Sequence, residues 1–208
     1  MIRPATPEDA AQICEIYNHY VRETVVTFEE SPVSAAEMSQ RIGDITQRLP
    51  WLVWDEEGKI LGYAYASPWK ARAAYRHSVE ASIYLPPHAT GRGIGTGLYQ
   101  ALIEHVRKRG IHAVIGGAAL PNPASVALHE RLGFEKIGQF RQVGFKLGRW
   151  VDVGYWELLL PGDLNAARQV RVIRLTLRKT ASSRPSIDVK RNLRSPQPLR
   201  FLLEAGMA

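Results

Sequence analysis

A glycine-rich segment near the middle of the chain is suited to binding an anion through its backbone. Residues 91–97 read Gly-Arg-Gly-Ile-Gly-Thr-Gly, and a helical pattern starts within them. The first backbone N–H groups of a helix have no partner inside the helix, and the helix dipole adds positive potential at the same end. Because glycines let that backbone approach a ligand closely, the segment suits a phosphate or pyrophosphate group.

The elements on either side of the glycines must position them. Residues 79–85 alternate apolar with polar side chains, which predicts a strand, and Pro86 and Pro87 end it because proline cannot donate to a strand ladder. After the glycines, apolar residues recur every four positions up to Val106, which predicts one buried face of a helix. The predicted order is therefore strand, glycine loop, helix.

The spacing of the glycines argues against two common nucleotide-binding loops. A P-loop needs a Lys followed by Ser or Thr after its last glycine, and no Lys follows these glycines. A dinucleotide loop needs G-x-G-x-x-G, but the last position is Thr96 when counted from Gly91 and Leu98 when counted from Gly93. Two interpretations remain, namely a loop for another anionic ligand, which we favour, and a tight glycine turn without a ligand.

The whole pattern predicts an α/β or α+β sheet sandwich over residues 2–160. Its order is a strand, two helices, three strands, a helix, a strand, a helix and two strands, with a turn at Asp55–Gly58. The last two strands are predicted at Phe134–Phe140 and Val151–Leu160, joined by a glycine-containing loop. We therefore predict one domain over residues 1–163.

The composition changes after residue 163. Ten Lys and Arg residues face two Asp and Glu residues from position 166 onward, so the formal charge of +7 belongs to this extension. We predict a basic, disordered extension over residues 164–208. An arm that docks on nucleic acid or a membrane is the less favoured alternative. The folded domain has no basic excess, and no apolar run reaches membrane-spanning length, so neither partner is expected for it.

The glycine window, Thr90 to Gly95, resembles the acyl-CoA loop of the GNAT superfamily of N-acetyltransferases. That signature is Gln or Arg, two residues, Gly, any residue, then Gly or Ala, and this chain departs from it at Thr90. The departure leaves the backbone N–H groups in place. The resemblance implies a GNAT fold, with a mixed central sheet of about six to seven strands flanked by helices and an acetyl-CoA loop between the central strand and the next helix.

Other segments resemble the phosphinothricin acetyltransferase family more closely. They run along nearly all of residues 2–160: Ile16–Tyr20, Pro50–Val53, Ser67–Arg72 with Tyr75, Val79–Glu80, Leu120–Asn122, Ser125–Val126, Leu128–Glu130, Leu132–Gly133, and Gly144–Trp150 with Asp152–Gly154. The family implies acetyl transfer from acetyl-CoA to the α-amino group of phosphinothricin, methionine sulfoximine or methionine sulfone. It also implies a homodimer.

The resemblance assigns two catalytic residues. Glu80, on the central strand, is implied as the general base that deprotonates the acceptor ammonium; a surface glutamate is the alternative. Residues 128–134 read Leu-His-Glu-Arg-Leu-Gly-Phe, which places His129 where the superfamily commonly has a Tyr that protonates the leaving thiolate. Histidine can act as acid or base near neutral pH, so both roles stay open beside that of a buried structural residue.

The remaining site residues fall into two groups. Acetyl-CoA is expected to contact the backbone of a strand end, the glycine loop and a helix start: Ile83, Tyr84, Leu85, Gly91, Arg92, Gly93, Ile94, Gly95, Thr96 and Asn122. The first three would donate N–H groups to the thioester oxygen if the strand bulges or splays, and Asn122 is equally well explained as a helix cap. The anionic acceptor is expected to contact Phe28, Lys70, Arg72 and Tyr75, although Phe28 fits the core and the basic residues fit a solvated loop equally well.

Several alternatives and absences complete the prediction. A peptide or protein N-acetyltransferase and a non-catalytic acyl-CoA-binding sensor remain as other functions. The histidines show no metal-ligand spacing, so we expect no metal. Cys14 is the only cysteine, which favours the reducing cytoplasm over an oxidising compartment. The pattern does not distinguish phosphinothricin from methionine sulfone as the natural substrate.

Overall fold

The fold is taken from a computed structural model that describes residues 1–161. The predicted basic extension over residues 164–208 lies outside the described residues. The helices and strands, in chain order, are β1 (Ile2–Pro4), α1 (Ala10–Glu23), α2 (Ala35–Thr46), β2 (Trp51–Glu56), β3 (Lys59–Pro68), β4 (Ser78–Tyr84), α3 (Ile94–Lys108), β5 (Ala113–Leu120), α4 (Pro123–Arg131), β6 (Glu135–Lys146) and β7 (Arg149–Leu159). This is the predicted order of elements.

Within the described residues the strands form one seven-stranded mixed sheet, in the order β1-β2-β3-β4-β5-β7-β6. Neighbouring strands are antiparallel except for β4 and β5, which are parallel because α3 crosses over between them. Two apolar cores cover the two faces. One packs α3 against the sheet around Leu98, Leu102 and Val114, and the other packs α1 and α2 around Ile13, Met38 and Val53.

Two local contacts fix the start of the fold. Arg3 in β1 donates to both carboxylate oxygens of Asp9, at 2.8 and 2.7 Å, and to Asp55 at the β2–β3 turn at 2.8 Å. One guanidinium thus ties three chain segments together through geometrically matched, charge-assisted bonds. Ser34 caps α2, since its hydroxyl oxygen accepts the Glu37 N–H at 3.2 Å.

The predicted loop between the last two strands is wrong. β6 and β7 instead form one long hairpin that turns at Leu147 and Gly148, both of which have positive φ. Three residues of β6, from Arg141 to Val143, bulge opposite a single residue of β7, Asp152. The Asp152 carboxylate accepts the backbone N–H of Gln142 at 2.8 Å and so holds the bulge. The bulge breaks the period-2 pattern, which is why the sequence suggested a loop there.

β4 and β5 separate after a short pairing. Only Ser78 to Glu80 pair with β5, at Ala113 to Ile115, although β4 continues to Tyr84 and β5 to Leu120. The facing edges beyond Glu80 therefore leave backbone groups available to a ligand. The predicted binding of the thioester oxygen by N–H groups of Ile83 to Leu85 requires that the central strand separate from its neighbour, and β4 does separate from β5 there.

Candidate active site

The glycine loop adopts a conformation in which glycine is required. Gly91 and Gly93 have φ of +74° and +79°, a left-handed region that side chains disfavour. Gly93 caps α3, and the first bond inside the helix runs from the Gly97 N–H to the Gly93 carbonyl at 3.0 Å. The N–H groups of Ile94, Gly95 and Thr96 therefore precede the first helical bond and are free to bind an anion. The loop fits the pyrophosphate of a coenzyme A derivative.

Two side chains of this loop make contacts elsewhere and do not take part in holding the anion. The Ile94 side chain is buried in the core between α3 and the sheet. The Arg92 guanidinium lies 3.4 Å from the carboxylate of Glu56 in the β2–β3 hairpin. Both residues are thus placed to contribute backbone N–H groups rather than side chains. The Thr90 hydroxyl donates to the Pro87 carbonyl at 2.8 Å, so the residue that departs from the superfamily signature closes a local turn.

We predict that Gly93→Ala weakens acetyl-CoA binding by about tenfold. Alanine in a left-handed conformation costs roughly 1–2 kcal/mol, and relieving that cost would move the free N–H groups. Calorimetric titration with acetyl-CoA measures the change. Gly43→Ala is the matched control, because Gly43 lies inside α2 with no atom within 4 Å of an added methyl group. Equal affinities for wild type and Gly93→Ala would contradict the assigned cradle.

A cleft opens where β4 and β5 splay. Its walls come from α1 and the segment after it, the end of β4, the residue before the glycine loop, α3, the second half of β5 and α4: Tyr20, Val26, Ala81, Ser82, Ile83, Tyr84, Leu85, Thr90, Tyr99, Gly117, Ala118, Ala119, Asn122, Ala124, Ser125, Leu128 and His129. The fold thus brings the predicted strand end, Asn122 and His129 around one space beside the glycine loop. Because side chains and backbone directions alternate along a strand, alternate N–H groups of β4 face this space.

Glu80 lies beside the cleft on the sheet face opposite α3. It is half-buried, between the buried residues Val79 and Ala81 that pack toward α3. Burial raises the pKa of the Glu80 carboxyl above its ordinary value, and the nearby positive charge of Lys70 partly opposes this. A carboxylate with a raised pKa, next to a cleft, is suited to accept a proton from an amine.

His129 is almost fully buried, with 3% of its surface exposed. Its Nδ1 lies 2.8 Å from the Ser125 carbonyl, which can only accept, so Nδ1 carries the proton. Its Nε2 is then an acceptor and lies 3.1 Å from the Tyr99 hydroxyl. Burial lowers the pKa of the imidazole, which keeps His129 neutral. In this state His129 has no free N–H with which to protonate a thiolate directly.

Tyr99 is the cleft residue that sequence reasoning missed. It is on α3, where its position in an apolar helical stripe indicated only core packing. Its hydroxyl nevertheless reaches His129 Nε2, and the Ala81 carbonyl lies 3.4 Å away. The polar end of an otherwise buried ring thus faces the cleft, and burial raises the pKa of this phenol. Because the Tyr99 O–H donates to His129 Nε2, Tyr99 offers its phenol oxygen, and not a free proton, to the cleft.

Gly116 explains why the imidazole fits so tightly. A methyl group added to Gly116 would lie 2.1 Å from His129 Nε2, far inside contact distance. The ring also stacks on Trp156 at 5.8 Å and meets Tyr99 and Phe134 edge-on at 5.4 and 5.1 Å. A missing side chain on β5 and three aromatic rings therefore fix its orientation.

The predicted acceptor-binding residues occupy two places. Lys70, Arg72 and Tyr75 lie in the exposed segment after β3, where the Lys70 ammonium sits 4.7 Å from the Trp69 ring centre. Among residues 1–161, Arg72 makes no ion pair. Phe28 is 42% exposed and packs against the backbone of Gly144, where an added methyl group would lie 2.2 Å from its ring. Phe28 is thus a surface wall anchored by contact with β6, and the core alternative does not fit its exposure.

Asn122 is the N-cap of α4, since its side-chain oxygen accepts the Ser125 N–H at 3.1 Å. The same side chain lines the cleft. The capping alternative therefore describes its conformation, and contact with the coenzyme stays a prediction.

Lys146 anchors the segment that carries Phe28. Only 3% of Lys146 is exposed, and its ammonium donates to the carbonyls of Thr27 at 2.7 Å and Tyr20 at 3.2 Å. The Tyr20 hydroxyl in turn donates to the Leu85 carbonyl at the end of the central strand. This chain of bonds connects β6, the segment after α1 and the cleft.

We predict that Lys146→Met lowers the free energy of unfolding by about 1–3 kcal/mol, because a buried carbonyl loses its donor. The acceptor KM should rise more than the acetyl-CoA KM, since the loosened segment bears Phe28. Denaturant unfolding and steady-state kinetics measure the two effects. Lys136→Met, at an exposed position of the same strand, is the control. A Lys146→Met protein as stable as this control would contradict the assigned anchor.

Two absences apply to the described part of the chain. Residues 1–161 hold no group of three or more His, Cys, Asp or Glu side chains arranged for a metal ion. In the same range no helix is long and apolar enough to cross a membrane.

The fold and cleft define an enzyme that binds an acyl-CoA between splayed strands. The acetyltransferase (GNAT) domain family matches residues 2–154. Phosphinothricin N-acetyltransferase of Streptomyces viridochromogenes is 41% identical over 156 residues, covering 75% of this chain and 85% of that protein. The L-methionine sulfoximine/L-methionine sulfone acetyltransferase of Pseudomonas aeruginosa is 40% identical, covering 76% and 94%.

Solved structures agree with this relationship. A phosphinothricin acetyltransferase from Sinorhizobium meliloti, in complex with acetyl-CoA, has a TM-score of 0.76 and 42% identity, covering 79% of this chain and 90% of that one. This chain belongs to the GNAT acetyltransferase family. It is an acetyl-CoA-dependent N-acetyltransferase, which confirms the predicted fold class, enzyme class and co-substrate.

Proposed function

We propose that this protein acetylates the α-amino group of a small amino-acid analogue of the phosphinothricin, methionine sulfoximine or methionine sulfone type. The names of the relatives support this substrate class. The observation that carries the proposal is the half-buried Glu80 carboxylate beside the cleft. Burial raises the pKa of this carboxyl, and the positive charge of Lys70 partly opposes the rise. A carboxyl group whose pKa is raised beside a cleft is typical of a general acid or base, and removal of a proton from the acceptor amine is the step that needs one here.

The residues divide the reaction between them. Acetyl-CoA supplies the activated acetyl group. The free N–H groups of α3 hold its phosphates, and the splayed edge of β4 offers N–H groups to the carbonyl oxygen on which negative charge develops. Glu80 removes a proton from the acceptor ammonium, directly or through water. His129 Nε2 accepts the Tyr99 hydroxyl and so fixes the position of the phenol oxygen in the cleft wall.

The acceptor's anionic group is assigned to the segment after β3. Lys70 and Arg72 provide the positive charge that a phosphinate or carboxylate needs, and Tyr75 is 41% exposed beside them. Phe28 forms a wall on the other side, against Gly144. The proposal therefore places a compact zwitterion between a basic segment and an aromatic wall.

Thiol release from acetyl-CoA tests the proposal with a panel of methionine sulfone, methionine sulfoximine, phosphinothricin and several short peptides. Turnover of the small analogues in preference to the peptides is the expected result. Turnover of peptides alone would replace the proposal with a peptide N-acetyltransferase. Tight acetyl-CoA binding without turnover of any acceptor would replace it with a sensor. Expression in a phosphinothricin-sensitive bacterium should confer resistance if phosphinothricin is a substrate.

We also propose a homodimer formed through the β6–β7 hairpin. Seven large apolar side chains of this hairpin are each more than half exposed: Ile137, Phe140, Val143, Phe145, Leu147, Trp150 and Leu159. Exposed apolar side chains in this number favour a protein partner, and a second copy is the partner that the family resemblance implies. Sedimentation equilibrium should give twice the chain mass, and Phe145→Glu should reduce it to one.

Two further proposals concern the location and extent of the enzyme. Cys14 is a buried free thiol whose Sγ donates to the Val33 carbonyl at 2.7 Å, which suits a reducing cytoplasm. We place the end of the acetyltransferase domain at residue 163, with the basic extension over 164–208 as a separate segment. Deleting that extension should leave acetyl transfer intact.

A further inference from the structure

The segment after β3 carries a primary amine, the ammonium group of Lys70, beside the proposed general base. Ser67 in β3 pairs with Glu80 in β4, and Lys70 follows Ser67 by three positions. The Trp69 N–H donates to the Ser78 carbonyl at 3.3 Å, which keeps the segment alongside β4 as it leaves the sheet. Lys70 is therefore attached close to the start of β4, the part of the strand that carries Glu80.

Aromatic rings connect the amine to the carboxylate. The Lys70 ammonium lies 4.7 Å from the centre of the Trp69 ring, and that ring meets Tyr155 edge-on at 5.9 Å. A methyl group placed on Gly117 would lie 3.4 Å from Tyr155 Cε1 and 3.4 Å from Glu80 Oε1. Because Gly117 has no side chain, nothing at this position separates the Tyr155 ring from the carboxylate. The amine and the carboxylate thus lie on the same side of the sheet, and the charge of Lys70 acts on the Glu80 pKa.

Little holds the Lys70 ammonium in place. Within residues 1–161 it makes no ion pair, and its side chain is exposed. Its contact with the Trp69 ring is of a kind that is weak at exposed positions, so the flexible four-carbon stem can carry the amine to another place. The Lys146 ammonium, in contrast, is buried and donates to two backbone carbonyls.

A lysine ammonium reacts in the same way as the α-ammonium of the proposed acceptor. Glu80 removes one proton from the Lys70 ammonium, and the neutral amine attacks the carbonyl carbon of the acetyl thioester. A C–N bond forms, the C–S bond breaks, and the leaving thiolate takes the second proton of the nitrogen. Glu80 then returns its proton to water. The products are an acetylated Lys70 side chain and free coenzyme A, with one proton released.

The attachment of Lys70 to the site gives this reaction a kinetic advantage over acetylation by a free lysine. A group tethered near a reactive centre behaves as if it were present at roughly millimolar concentration. A bound acceptor occupies the space beside Glu80 and so excludes the Lys70 amine, whereas an empty acceptor site admits it. The side reaction should therefore depend on how much acceptor is present.

We propose that Lys70 is a self-acetylation site, to which the enzyme transfers the acetyl group of acetyl-CoA when acceptor is scarce. Acetylation removes the positive charge that is assigned to the acceptor's anionic group. The modified enzyme binds an anionic acceptor more weakly, so the modification limits the enzyme's own activity. This inference rests on the proposed function, because it uses Glu80 as the base.

The first experiment incubates the full chain with acetyl-CoA, with or without methionine sulfone or phosphinothricin. Peptide mass spectrometry follows acetylation of each lysine over time. Without acceptor, Lys70 should be acetylated at least about tenfold faster than Lys59 and Lys136, which are exposed and serve as internal controls for uncatalysed acetylation. Either acceptor should suppress acetylation of Lys70 alone, and Glu80→Gln should lower its rate to that of the two controls.

Two variants measure the consequence for the acceptor. Lys70→Gln removes the charge as acetylation does, and Lys70→Arg keeps the charge but offers no lysine amine. The KM for phosphinothricin should rise about tenfold in Lys70→Gln and in wild type that has been preincubated with acetyl-CoA. The same preincubation should leave the KM of Lys70→Arg unchanged.

The outcomes separate this inference from the proposed function. Acetylation of Lys70 at the rate of Lys59 and Lys136 overturns the inference, as does a Lys70 rate that Glu80→Gln leaves unchanged. Turnover of the small acceptors without acetylation of Lys70 at any acceptor concentration overturns it too, and leaves the proposed function standing. Acetylation of Lys70 that depends on Glu80, in a protein that turns over no small acceptor, supports the inference and overturns the proposed acceptor class.

Discussion

Glu80→Gln is expected to lower kcat by two to four orders of magnitude while acetyl-CoA binding stays unchanged. The amide keeps the size of the side chain but cannot accept the proton of the acceptor ammonium, and general-base catalysis is worth about that much. Glu80 lies on the sheet face opposite α3, away from the free N–H groups that hold the coenzyme. Steady-state kinetics and calorimetry on the same preparation measure the two quantities.

The pH dependence gives a second measure of the same group. Glu80 must be ionised to act as a base, and burial raises its pKa above the ordinary value of 4.5. His129 must be neutral to accept the Tyr99 hydroxyl, and burial lowers its pKa below the ordinary value of 6.5. The ratio kcat/KM should therefore rise with pH through the raised pKa of Glu80, above 4.5, and Glu80→Gln should lose that part of the rise.

A control distinguishes loss of the base from loss of charge. Glu157→Gln removes another carboxylate of the sheet. Glu157 in β7 pairs with Ile115 of β5, and Ile115 pairs with Glu80 on its other side. The activity of Glu157→Gln should stay close to that of wild type. The general-base assignment would be abandoned if Glu80→Gln kept more than about a tenth of wild-type kcat at every pH.

His129→Phe is expected to lower kcat by about a hundredfold or more, and Tyr99→Phe by a similar factor. The phenylalanine ring preserves the packing against Phe134 and Trp156. The fall in kcat is therefore due to the missing Nε2 acceptor and not to a cavity in the core. Because the two residues share one hydrogen bond of 3.1 Å, their effects should not add. The double variant should be about as active as either single one.

Thermal unfolding of all three variants supplies the structural control. His129→Phe leaves the Ser125 carbonyl without its imidazole donor, and Tyr99→Phe leaves the buried His129 Nε2 without its hydroxyl donor, so a modest fall in Tm is expected for both. Losses of kcat that multiply in the double variant would mean that His129 and Tyr99 act separately. His129 would then need a role in catalysis that does not depend on Tyr99.

The elements of the fold followed from sequence because each has a local signal. Period-2 patterns, the Ser34 cap and the glycines before α3 are all readable within a few residues. The bulge opposite Asp152 was not readable, since it depends on a carboxylate ten residues away from the Gln142 N–H that it accepts. A long-range contact determined that part of the structure.

The site divides in the same way. Glu80 and His129 were predicted from the resemblance to the family. The free N–H groups at the start of α3 were predicted from the spacing of the glycines. Tyr99 and the roles of Gly116 and Gly117 were missed, because they depend on which strand position faces which helix. Adjacent glycines in an apolar strand are the signal that would have found the last two, since a strand interior gives up stability to keep them.

The short parallel pairing of β4 with β5 also has a consequence for local unfolding of the sheet in solution. Within the described residues the sheet is two smaller sheets, β1–β4 and β5–β7–β6, that share three residue pairs. Hydrogen–deuterium exchange should therefore show each half-sheet as its own protected unit, with fast exchange along the two facing edges. A co-substrate that contacts both edges would join the halves, so saturating acetyl-CoA should slow exchange across the entire sheet and merge two unfolding steps into one.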